Sequence, residues 1–116
     1  MRHPDWVARL AALLREAETR AFHPRYWNCA SFAMAAVAAV TGQRPCVRVL
    51  PDLAASADSA GFPRMAPLLA QMGDIALAHH PDRLGVVLDA GRVAFVGPRG
   101  LLRAPITDCT IAWRIE

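Results

Sequence analysis

Along "DWVARLAALLREAETR" the apolar residues Trp6, Val7, Leu10, Leu13, Leu14 and Ala17 recur three and four positions apart, the spacing that lines up one face of a helix. Pro4 and Asp5 stand where a helix start favours a fixed φ and a negative charge, and Arg20 stands near the end. The pattern predicts a first helix over about 4–20. "FHPRYW" breaks the period at Pro24, and a second, alanine-rich helix is predicted from about Asn28 to Val40. Asn28 is its N-cap, Cys29 lies in its first turn, and Thr41 and Gly42 stop it. In "GQRPCVRVL" the alternation of Cys46, Val47 and Val49 fits a short strand or an extended arm. Two short helices are expected next, over about 52–59 and 63–72, the second kept short by Pro63 and Pro67.

Beyond Gly73 the period drops to two. "DIALAHH", "LGVVLD", "RVAFVG" and "CTIAWRIE" read as strands, with "DAG" as a tight hairpin turn between the second and third. "GPRGLLRAP" adds a further turn and a short strand. Cys46 and Cys109 fall on strand-like runs and are expected in the core, and Trp113 is expected to close it. The sum is a single α+β domain over residues 1–116, with N-terminal helices packed on one face of a small, mostly antiparallel sheet.

Composition narrows the partners. With 54% hydrophobic and 20% charged residues in 116, the chain can bury one ordinary core. All thirteen basic residues are arginine, set against ten acidic ones, and they are scattered without a run or an aromatic-interleaved stripe. A net charge of +3 so distributed argues against a nucleic-acid partner. The N-terminal residues lack a signal-peptide pattern, and the longest apolar run, Phe32 to Val40, is about half of what a membrane span needs. Synthesis in the cytoplasm and no membrane span are therefore expected. Three cysteines match neither a zinc set nor a disulfide framework, so they are read as free thiols. Without a phosphate loop, a dinucleotide fingerprint or a metalloprotease helix, and with "HH" alone insufficient to specify zinc, no cofactor and no metal are expected.

The candidate chemistry centres on Cys29. A thiol in the first turn of a helix meets unpaired backbone N–H groups and the positive end of the dipole, both of which favour a thiolate nucleophile. It also shares a helix face with Ala33, Ala36 and Val40, where a free cysteine serves equally well as a small core residue. A nucleophile needs an imidazole base and a polar group to orient it. His79 and His80, at the end of the strand opened by Asp74, are the candidate bases. His3 and His23 are assigned to surface or local capping roles. Asp74 is read as a turn-capping carboxylate or an orienting group, and Asp82 and Asp89 as solvent-facing turn residues. Tyr26 and Trp27 either line a cleft or anchor the chain where the helix begins.

Taken in order, "YWNCASFAMAAVAAVTG", "MGDIAL", "LGVVLDAGRVAFVG" and "GLLRAPITDCTIAWRI" resemble a small papain-fold family of tailed phages and prophages, related to the NlpC-type cell-wall cysteine peptidases. The resemblance covers Tyr26 to Ile115. In that superfamily a tryptophan and a polar residue precede the nucleophile, matching Trp27, Asn28 and Cys29. A Gly-Asp pair opens the first sheet strand, matching Gly73 and Asp74, and a Gly-Val pair follows in the next, matching Gly85 and Val86. The resemblance implies a papain-like, NlpC-type fold, Cys29 as nucleophile, His80 or His79 as base, and Tyr26, Trp27 and Asn28 beside a cleft. Three departures accompany it. Asn28 replaces the usual aspartate, Arg83 and Leu84 occupy the segment where the peptidases carry their histidine, and "RVAFVG" offers no polar residue to orient one. The function implied is a tail-associated structural or assembly protein with a degenerate peptidase fold. It would bind phage tail or tail-assembly proteins, made in the host cytoplasm and carried in the virion tail. The alternative is an active cysteine amidase that cleaves peptidoglycan peptides during phage entry.

Overall fold

A computed structural model describes all residues from Met1 to Glu116. Three helices, α1 (Trp6–Ala17), α2 (Cys29–Thr41) and α3 (Leu53–Asp58), precede six strands: β1 (Arg64–Met65), β2 (Ile75–Ala78), β3 (Arg83–Val87), β4 (Arg92–Val96), β5 (Leu101–Pro105) and β6 (Cys109–Trp113). The strands form one sheet in the order β1-β6-β2-β3-β4-β5, with every neighbouring pair antiparallel. The expected α+β architecture is present, with helices on one face of an antiparallel sheet. No helix is long and apolar enough to cross a membrane.

The period-two runs place alternate side chains on opposite faces of the sheet. Ile75, Leu77, Leu84 and Trp113 face the helices and join Leu10, Phe32, Ala36 and Val40 in the main core. Ala76, Ala78, Phe95, Cys109 and Ala112 face the other way into a smaller core. Alanines at positions 33 and 36 remove the bulk that would hold α2 away from the sheet, so the helix lies chiefly on β3. Both ends of α2 follow the sequence closely. Asn28 Oδ1 accepts from the Ser31 N–H at 2.9 Å, the Ser31 hydroxyl accepts from the Asn28 N–H at 2.8 Å, and Gly42 caps the other end at φ 81°. Such a reciprocal cap satisfies two of the backbone donors a helix start leaves open. Asn28→Ala is expected to lower stability by about 1 kcal/mol, read as a lower urea midpoint with an unchanged slope.

Two expectations are corrected. Residues 63–72 do not form a helix. Arg64 and Met65 pair instead with Trp113 and Ala112 of β6, and only the single 3-10 turn Pro67–Leu69 remains helical. Pro63 and Pro67 each lack an amide donor, and the residue before a proline is pushed toward extended backbone. Cys46 is exposed on an arm without regular structure, whereas Cys109 is buried in β6 as expected. The arm is held to α3 through hydroxyls. Ser56 Oγ accepts from the Leu50 N–H at 2.8 Å, and Ser59 Oγ accepts from the Arg48 N–H at 2.7 Å. The short segment therefore finds its backbone partners in side chains rather than in the sheet.

Two exposed ion pairs fasten the helices to the sheet edges. Arg64 forks onto both carboxylate oxygens of Asp58, at 2.8 and 2.6 Å, and the Trp113 indole N–H donates to the same carboxylate at 2.9 Å. Arg103 on β5 grips Glu18 just beyond α1 at 3.0 and 2.7 Å. The Arg64 hydrogen bonds, and then the Trp113 indole, hold the Asp58 carboxyl below its ordinary value, and Arg103 does the same for Glu18. A carboxylate with a depressed folded-state pKa adds stability above its unfolded pKa and loses it as pH falls through the folded one. Free Asp and Glu titrate near about 3.9 and 4.3, so the contribution is complete above about pH 5 and is lost below about pH 4. The double variant Asp58→Asn, Glu18→Gln is expected to make that acid decline shallower in urea melts at pH 3 and pH 6. The difference should shrink in about 0.5 M salt, because both pairs are open to screening.

Candidate functional site

The direction of α2 decides which residues meet Cys29. At its far end Val40 packs against Gly73, where an added Cβ would lie 3.2 Å from Val40 Cγ2. At its near end the chain leading into the helix is tied to the sheet by Phe22, whose N–H donates to the Gly97 carbonyl at 3.3 Å just past β4. Because β3 and β4 are antiparallel with Val86 opposite Ala94, the end of β4 is the end at which β3 begins. Cys29 therefore sits over the start of β3, beside the β2–β3 turn. At this end of the sheet a helix-borne thiol would meet a base carried on β3.

The residues there are not bases. Leu84 points toward α2 and packs in the main core, lining with Ala30 and Ala33 an apolar cavity of about 70 Å³. Arg83 points to the opposite face, its guanidinium 4.7 Å from the Phe95 ring centre and donating to the carbonyls of His79 and Pro81 at 3.3 Å each. A guanidinium stays protonated and accepts no proton at neutral pH. The adjoining stretch of β4, Phe95 and Val96, brings only apolar side chains.

Of the two histidines of the turn, His79 is committed to partners of its own. It is held between Asp82, 2.6 Å from Nδ1, and the Thr110 hydroxyl, 2.7 Å from Nε2. His80 adopts φ 64°, with its ring centre 6.2 Å from that of His79, and neither ring hydrogen-bonds to the Cys29 thiol. His23 accepts from the N–H groups of Arg25 and Tyr26 through Nδ1, a local capping role, and His3 accepts from the Asp5 N–H at the start of α1.

Asp74 is far from this end. It follows Gly73 at the far end of α2, and the eleven residue steps from Cys29 to Val40 span roughly 17 Å of helix. Its carboxylate is 1% exposed and receives the Gln71 N–H at 2.8 Å, the Ile115 N–H at 2.9 Å and Arg2 at 3.1 Å. It is a structural carboxylate, and the structure does not bring it to an imidazole. Trp27 is likewise not a cleft residue. It is buried against Phe32 at 5.6 Å between ring centres, with the Arg20 guanidinium 4.1 Å over its ring and its indole N–H unpaired. Tyr26 is exposed and stacked on His23 at 4.8 Å, and Asn28 is committed to the helix cap.

Cys29 itself is half-buried and packs on the main core, while Cys109 is buried in the smaller one, with desolvation pushing its thiol above the ordinary value. Sequence reading missed Thr110 and Asp82 as partners of His79. The i, i+3 spacing of His79 and Asp82 was a local signal, but Thr110 is 31 positions from His79 and meets it only through strand pairing.

Fold and site together define a class: an α+β domain in which a thiol at a helix N-terminus lies over an antiparallel sheet, with no imidazole hydrogen-bonded to it. Within that class the chain belongs to the DUF6950 family, a domain of unknown function, whose match covers residues 1–52 and 48–115. No curated protein matches the sequence.

Proposed function

We propose that the chain is a papain-like, NlpC-type domain whose thiol centre has lost its base, and that it serves as a tail-associated structural or assembly protein of a phage or prophage. The observation that carries the loss of catalysis is at the start of β3: Leu84 faces α2 where a base would stand, and Arg83 faces away from it. General-base assistance contributes about 10²–10⁴ in rate, so a thiol without it retains little hydrolytic power. The helix-over-antiparallel-sheet arrangement and the position of Cys29 at the first turn of α2 agree with the NlpC-type order of elements. The assignment to phage tails rests on the sequence resemblance from Tyr26 to Ile115.

The reading is tested in a lysogen carrying the gene. Cys29→Ala is expected to leave the yield of infectious, tailed particles unchanged, whereas deletion of the gene abolishes tails. Loss of infectivity in Cys29→Ala particles with normal tails, together with cleavage of peptidoglycan peptides by the wild-type protein alone, would restore the amidase.

A further inference from the structure

The β2–β3 turn and β6 carry a second set of reactive side chains that the thiol site does not use. Asp82 Oδ1 lies 2.6 Å from His79 Nδ1, and His79 Nε2 lies 2.7 Å from Thr110 Oγ. A carboxylate only accepts, so the neutral imidazole carries its proton on Nδ1 and presents a lone pair at Nε2. The Thr110 hydroxyl then donates to Nε2. Carboxylate, imidazole and hydroxyl thus stand in the order and polarity of a hydrolytic triad, which is recognised by geometry and roles rather than by chain order.

Two features of the fold hold this line in place. The β2–β6 register shifts between Leu77 and Ala78, which pair with Ile111 and Cys109 and leave Thr110 without a partner in the ladder. A bulge of this kind re-aims the side chain of its extra residue, here toward the turn. The turn is braced from below by Arg83, which donates to the His79 and Pro81 carbonyls while lying over Phe95. The groups are reachable, since the His79 and Asp82 side chains are 37% and 51% exposed and Thr110 is exposed as well.

We infer that Asp82, His79 and Thr110 form a nucleophilic centre, independent of Cys29, that accepts the acyl group of a small activated ester. Thr110 Oγ attacks the ester carbonyl as its proton passes to His79 Nε2, and Asp82 holds the resulting imidazolium. The tetrahedral intermediate collapses, the new Oγ–acyl bond stays, and the alcohol leaves as its anion. Water, deprotonated by His79 after the imidazolium has released its proton to solvent, then hydrolyses the acyl-threonine and returns the hydroxyl. A centre this open to water provides little desolvation, which restricts it to esters whose leaving group departs as a stable anion.

The probe is p-nitrophenyl acetate, applied to the full chain with Cys29→Ser and Cys46→Ser so that accessible thiols do not take the acetyl group. Nitrophenolate release is followed by absorbance and the acetyl group is located by peptide mass spectrometry, with circular dichroism confirming that each variant is folded. Acetyl is expected on the peptide carrying Thr110. Release should slow about a hundredfold in His79→Gln, slow also in Asp82→Asn, fall to background in Thr110→Val and persist in Thr110→Ser. Release that is unchanged in Thr110→Val or in His79→Gln overturns the inference, as does acetyl found only on other residues.

Discussion

Asp74→Ala is expected to remove about 3–5 kcal/mol of stability, the usual cost of breaking a buried charged pair by deleting one partner. Three donors converge on this carboxylate: the Gln71 N–H from the preceding turn, the Ile115 N–H beyond β6 and the Arg2 guanidinium ahead of α1. Removing it leaves all three without the acceptor they share at a largely buried position. Arg2 keeps its bonds to the Ile115 and Met72 carbonyls, at 2.9 and 2.8 Å, and its stacking on Trp6 at 4.2 Å, so the guanidinium stays trapped without its counter-charge. Small domains hold about 5–15 kcal/mol in total, so a large share of the stability rests on one side chain. With a urea slope of about 1–3 kcal/mol per M, the midpoint should fall by more than about 1 M. Asp74→Asn keeps one acceptor oxygen and should lose less. An Asp74→Ala protein that melts with the wild type would show that these donors find water instead.

Gly85→Ala is expected to cost about 3 kcal/mol, the upper end for an added methyl group in a filled interior. A Cβ on Gly85 would lie 2.6 Å from Phe95 Cε1, 2.6 Å from Val93 Cγ1 and 2.7 Å from the Ala94 carbonyl oxygen. The side chains could swing aside, but the carbonyl belongs to β4, paired on both sides by β3 and β5, and moves only with its strand. The glycine thus serves a close approach between β3 and β4, on the face away from α2. At about 4–8 °C per kcal/mol for domains near 100 residues, the melting temperature should drop by more than 10 °C. A small drop with an intact near-ultraviolet spectrum would mean that the smaller core has room the distances do not show.

Much of the architecture was legible in residue order because local signals and global packing agree. The α2 cap is one example: Asn28, Ser31 and Gly42 announce both helix ends in sequence, and each makes the contact its chemistry suggests. The strands after Gly73 were equally plain, since four of them lie in runs whose alternation matches the two faces of the sheet. Residues 63–72 were not legible, because Arg64 and Met65 become a strand only by pairing with β6, nearly fifty positions later. The site shows the same division. Cys29 at the first turn of α2 followed from local cues, but the fate of the histidines depended on which way the β2–β3 turn leans, and that is set by Asp82 and by a bulge in β6. Asp74 was a carboxylate beside a glycine in sequence. Only the fold shows it gathering Arg2 and Ile115 from positions more than one hundred residues apart.

The placement of β6 between β1 and β2 carries a consequence for the protein while it is being made. The strand that fills the middle of that half of the sheet is the last to leave the ribosome, so a nascent chain that has completed α1 through β5 still has one flank of β2 open and β1 without a neighbour. An open strand flank invites pairing with other chains, and long-range strand pairing closes slowly. The domain is therefore sealed by insertion of its final strand, after translation of that strand is finished, and until then the flank of β2 from Ile75 to Ala78 that β6 will cover is an open edge for pairing with another chain.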